Sequence, residues 1–133
     1  MRVALANVQF HEGNNVFPPL GILYVAAALR AAGHDVHVYD GDPVVRPKLA
    51  AEIAWVNPDI VGFSFLTMTW ERALRLVGQV RALLPGARLI AGGAHATADP
   101  AGTLRAFPVD AVVVGEGEET AVDLVRRLAR GEP

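Results

Sequence analysis

Short apolar runs alternate along this chain with segments whose apolar residues recur every three or four positions. The runs predict strands over residues 2–8, 35–39, 59–65, 87–91 and 110–114. In the second, Val36 and Val38 alternate against Asp35, His37 and Tyr39. The third is apolar enough to be central and covered on both faces. Helices are predicted between them. Residues 18–32 place Leu20, Leu23, Tyr24, Ala27, Ala28 and Ala31 at helical spacing, and Gly33 stops them. Residues 47–56 begin with proline and end before Asn57-Pro58. Residues 69–84 end at Pro85-Gly86, and residues 99–106 carry Asp99 as N-cap with Pro100 at the first position. In residues 118–130, Glu118 and Glu119 sit at the positive end and Arg126, Arg127 and Arg130 near the negative end.

Five strands alternating with five helices predict a three-layer α/β domain, flavodoxin-like (Rossmann-like), with a five-stranded parallel sheet in the order 2-1-3-4-5. Residues 1–133 form a single domain without repeats or linkers. The switch point lies between strands one and three, beside the loops at residues 9–17 and 64–69. Open α/β sheets bind ligands at the carboxyl ends of their strands. Four stretches belong to that edge: Pro18-Pro19-Leu20-Gly21, Ser64-Phe65-Leu66-Thr67, Gly92-Gly93-Ala94-His95 and Gly115-Glu116-Gly117-Glu118.

Composition narrows what this edge can do. The chain is 52% hydrophobic, with 12 basic and 14 acidic residues and a net charge of −2. That favours a packed core over disorder, and without a basic stripe nucleic acid is not an expected partner. No run approaches the ~18 apolar residues of a membrane span. There are no cysteines, which removes disulfides, thiolate catalysis and cysteine-bound metal clusters and fits a reducing, cytoplasmic setting.

Each stretch admits two readings. The hydroxyls of Ser64, Thr67 and Thr69, around Leu66 and Met68, are either helix caps or a hydrogen-bonding lip facing a ligand. Gly92-Gly93 is either a tight turn with positive φ or a place where backbone approaches a ligand. His95, read as a loop residue, is either solvated or functional. Gly115-Glu116-Gly117-Glu118 lacks the fingerprint of a phosphate loop, and its acids oppose phosphate. They complement the helix dipole or meet amide donors. Phe63-Ser64-Phe65 replaces the aspartate of a receiver domain, and Gln9-Phe10-His11-Glu12-Gly13 is not the hydroxyl-rich loop of a flavodoxin.

Taken in order, the stretches resemble the N-terminal cobalamin-binding domain of cobalamin-dependent radical S-adenosylmethionine enzymes. The resemblance runs through Pro18-Pro19-Leu20-Gly21-Ile22-Leu23-Tyr24, Gly33-His34-Asp35-Val36 with Asp40, Pro58-Asp59-Ile60-Val61-Gly62, Ala91-Gly92-Gly93-Ala94-His95 and Val114-Gly115-Glu116-Gly117-Glu118. Ser64-Phe65-Leu66 and Gly92-Gly93 match the Ser-x-Leu and Gly-Gly motifs of the wider fold. The resemblance implies that a serine hydroxyl meets the displaced nucleotide base and that glycines clear space for it. It implies an apolar platform for the corrin from Leu66, Met68 and the 9–17 loop.

The histidine-ligand version of the family carries Asp-x-His-x-x-Gly after its first strand. Gln9-Phe10-His11-Glu12-Gly13 lacks the acidic partner and brings the glycine one residue early. His11 is thus the candidate cobalt ligand, while the resemblance to the radical enzymes implies base-off binding without protein histidine. The implied function is the cofactor module of a radical S-adenosylmethionine methyltransferase, with no catalytic residue of its own. S-adenosylmethionine and the four-iron four-sulfur cluster would belong to a catalytic domain beyond Pro133 or on a second chain. A stand-alone cobalamin carrier or sensor, and an α/β scaffold that no longer binds cofactor, are the alternatives.

Overall fold

The computed structural model describes residues 1–10 and 17–132. Five strands form the sheet: β1 (Arg2–Val8), β2 (Asp35–Gly41), β3 (Ile60–Phe65), β4 (Arg88–Gly92) and β5 (Ala111–Val112). All neighbours are parallel, in the order β2-β1-β3-β4-β5. The predicted architecture and strand order are those observed.

The helices are α1 (Leu20–Ala31), α2 (Leu49–Trp55), α3 (Trp70–Leu83), α4 (Gly93–Ala98), α5 (Pro100–Ala106) and α6 (Glu118–Ala129). Three expectations need correction. The stretch after β4, read as a loop, turns into α4 at Gly93. Three alanines at 94, 96 and 98 favour helix once Gly93 supplies the left-handed entry at φ 89°. The apolar stripe expected on α1 at Leu20, Leu23 and Tyr24 is exposed, and the helix turns Ile22, Ala26 and Leu29 onto the sheet instead, while the helix expected over 69–84 is α3, preceded by a 3-10 turn, Thr67–Thr69. The fifth strand keeps only two ladder residues, because β4, its sole partner, ends at Gly92.

Strand alternation sorts the core into two faces. Ala4, Ala6 and Val8 of β1 and Val61, Phe63 and Phe65 of β3 meet α2 and α3. Val3 and Leu5 of β1, Ile60 of β3 and Ile90 of β4 face α1 and α6. On that second face β3 continues with Gly62 and Ser64, and the register sets Asn7, Ser64 and Gly92 side by side at the carboxyl edge. Side chains shrink toward the edge, which leaves room there.

Candidate functional site

A cavity of about 740 Å³ lies between α1, α6 and the sheet, within the usual size of small-molecule sites. Its deep end is aliphatic: Leu29 of α1, Ile60 of β3, and Leu124 and Val125 of α6. Its mouth opens at the carboxyl edge, where Gly21, Ser64, Gly92, Gly93, Gly115 and Gly117 meet.

The two adjacent glycines differ. Gly93 has φ 89°, and a Cβ there would stand 2.7 Å from Ser64 Oγ and 3.2 Å from Phe65 N. It is therefore glycine for internal reasons. Gly92 is extended, with φ −153° and ψ −169°. Among the described residues a Cβ on it would meet only Val113, at 3.8 Å. Backbone and packing would both accept a side chain at Gly92, so the space it leaves belongs to the groove. Ser64 is half-buried at the same mouth, and its hydroxyl has no side-chain partner among the described residues.

Ala94, Gly115, Glu116, Gly117 and Glu118 also line this groove. Gly115 is left-handed at φ 78°, and its N–H donates to Thr97 Oγ1 at 3.0 Å, tying the loop after β5 to α4. Glu118 opens α6, whose N-cap Gly117 offers no side-chain cap, so the carboxylates of Glu118 and Glu119 complement the exposed N–H groups there.

The remaining sequence-predicted residues lie elsewhere. Thr69 is buried at 1% exposure. Its Oγ1 accepts from Leu66 N–H and donates to Leu66 carbonyl, both at 3.1 Å, so its hydroxyl closes the turn. Thr67, Met68 and His95 border a second hollow on the opposite face, together with Trp70 and Arg72. His95 Nδ1 is 2.9 Å from Thr67 Oγ1, and its ring packs against Phe65 and Trp70. Nε2 is buried with no partner among the described residues. Leu66 and Met68 are 47% and 69% exposed on the carboxyl edge. Pro18 and Leu20 stand at the start of α1, outside the groove, with Leu20 61% exposed. His11, and most of the 9–17 loop, lie outside the described residues.

Sequence reasoning quoted Gly21 and Gly62 within its stretches but assigned no site role to them, nor to Val25 and Thr97, all of which line the groove. The signal for Gly62 was its place two residues before Ser64, on the same strand face. Leu5 Cδ2 occupies its open side, and an added Cβ would come within 2.8 Å of it. Asp40 anchors the neighbouring edge, accepting from Asn7 Nδ2 at 2.8 Å and Gln9 Nε2 at 2.7 Å.

This mouth can take a flat ring system bearing a few hydrogen-bonding groups. The groove is too narrow in its donors for a phosphate cradle, and among the described residues no group of His, Asp or Glu could hold a metal ion. The B12 binding domain family model matches residues 7–125. Over 117 residues the chain is 36% identical to an uncharacterized methyltransferase of Pyrococcus horikoshii, covering 86% of this chain and 25% of that protein. Over 134 residues it is 33% identical to the anaerobic magnesium-protoporphyrin IX monomethyl ester cyclase of Cereibacter sphaeroides, covering 95% and 22%. Over 117 residues it is 33% identical to the hopanoid C-3 methylase of Methylococcus capsulatus, covering 84% and 22%. The chain spans about a quarter of the length of these curated relatives. With its fold, its strand order and a family match over most of its length, the chain belongs to the B12-binding domain family.

Proposed function

We propose that this chain binds cobalamin with the nucleotide tail in the groove between α1, α6 and the sheet, and with no protein histidine on cobalt. The observation that carries this is Gly92, a glycine that neither φ nor packing requires, beside a Ser64 hydroxyl with no side-chain partner among the described residues. The tail's base is flat and apolar with a ring nitrogen. It suits an aliphatic groove with one hydroxyl at its mouth. The corrin is broader than the groove and would rest outside, on the edge that exposes Leu66 and Met68. Its peripheral amides would find the carboxylates of Glu116 and Glu118 at the rim.

Bound cobalamin supplies a cobalt centre able to carry a one-carbon group. The protein's part is to hold the tail away from the metal and to orient the disc. The relatives are named as a methyltransferase, a methylase and a cyclase. We infer that the chain serves as the cofactor module of a radical S-adenosylmethionine enzyme of the methyltransferase kind. It has no cysteine, so the cysteine-bound cluster would come from sequence outside it. The edge that presents Leu66 and Met68 would face that catalytic domain.

Titration with hydroxocobalamin tests the reading. Expected are pigment retained through gel filtration and an absorption spectrum of the base-off form, unchanged in His11→Ala. No retained pigment would overturn cobalamin binding. A spectrum that shifts in His11→Ala would overturn the histidine-free state.

A further inference from the structure

We propose that Gly21 is the position on α1 that admits the nucleotide tail, and that its missing side chain is a requirement of the ligand rather than of the fold. The proposal rests on the cobalamin reading above and adds a specificity-determining residue on the helical wall of the groove.

The inward stripe of α1 runs through positions 21, 22, 25 and 29. Ile22, Val25 and Leu29 fill it with branched aliphatics. Gly21 truncates it in the first turn, at the mouth of the groove. Helix periodicity would put another apolar side chain there.

The fold does not ask for this glycine. An added Cβ at Gly21 meets no atom of the described residues within 4 Å, and its φ is not left-handed. Half of the described glycines have a reason of their own. Gly33, Gly93, Gly115 and Gly131 are left-handed, while Gly62 and Gly102 have neighbours within 3 Å of a would-be Cβ. Gly78 is a useful contrast. It too has open space and ordinary φ, but it lies on the exposed side of α3, away from the groove. Glycine in a helix is unfavourable relative to alanine or leucine. At Gly21 that penalty coincides with the entrance to a large cavity that Gly92 also lines.

The test compares Gly21→Ala, Gly21→Leu and Gly78→Ala with the parent chain, by thermal unfolding and by titration with cobalamin and with cobinamide, which lacks the tail. Expected for both Gly21 variants is a Tm equal to or above that of the parent. Cobalamin dissociation constants should rise about tenfold for alanine and about a hundredfold for leucine, as overpacking costs of this size imply. Cobinamide binding should not change, and Gly78→Ala should bind both corrinoids as the parent does. Parental cobalamin affinity in Gly21→Leu would overturn the proposal. So would an equal loss of cobinamide binding, or a fall in Tm for Gly21→Ala. A parent chain that binds neither corrinoid would refute the cobalamin reading itself, a different result from a parent that binds and a variant that binds equally well.

Discussion

Gly93 carries two constraints at once. Its φ of 89° is costly for any L side chain, and the Ser64 hydroxyl stands where a Cβ would go. Gly93→Ala should therefore destabilise the domain by about 2 kcal/mol, read from urea midpoints. Ser64→Ala removes no internal side-chain hydrogen bond among the described residues. It should leave stability within about 0.5 kcal/mol and weaken cobalamin binding by up to about tenfold. The pair Gly92-Gly93 was legible in the sequence, but the division of labour within it was not, since φ and neighbouring atoms are properties of the folded chain. His95 shows a second limit. Three alanines after Gly93 already favoured a helix, and that helix turns His95 toward Phe65 and Trp70 instead of the groove.

Strongly periodic elements were the most legible. The apolar runs of β1 and β3 lie where their patterns put them, because burial on a sheet face leaves little choice of register, whereas α1 lies where expected but buries Ile22, Ala26 and Leu29 rather than the predicted stripe. The short elements escaped: α4 has six residues and β5 two, too few for a period to show. What holds β5 in place is a side chain. Asp110 accepts from Leu89 N–H at 2.7 Å and from Arg81 at 2.7 Å, and Arg81 also bonds the carbonyls of Ala87 and Pro108. Burial pushes the Asp110 carboxyl up, but the Leu89 N–H, Arg81 and Arg88 together outweigh it and hold it below its ordinary value. A lowered carboxyl in the folded state adds stability above the unfolded pKa of about 4 and loses it as the pH falls through the folded value. Asp110→Asn should thus cost on the order of 1 kcal/mol at pH 7, with the difference narrowing below pH 4. Urea unfolding at the two pH values checks it. An equal loss at both would show that charge plays no part.

Across the whole molecule the sheet separates two unlike faces. Toward α2 and α3 the interior is filled, with Leu49, Ile53, Leu76, Val77 and Val80 fully buried, and the second hollow stays beside Thr67 and His95 at the carboxyl edge. Toward α1 and α6 it encloses the groove, and α1 and α6 touch each other there. A ligand that fills the groove becomes part of the core on that side. Cobalamin at a hundred times its dissociation constant should then stabilise the domain by about 2.7 kcal/mol, visible as a Tm that climbs with cofactor concentration. A Tm indifferent to cobalamin would disconnect the groove from the ligand. The two faces also differ in how freely they can vary. Shortening Leu76 opens a hole in a closed packing, where such losses run to about 2–5 kcal/mol. Leu124, only partly buried beside the groove, has fewer contacts to lose. Substitutions that reshape the groove can therefore accumulate while the opposite face keeps the chain folded, so one scaffold can be retuned toward different ligands without passing through unfolded intermediates in sequence space.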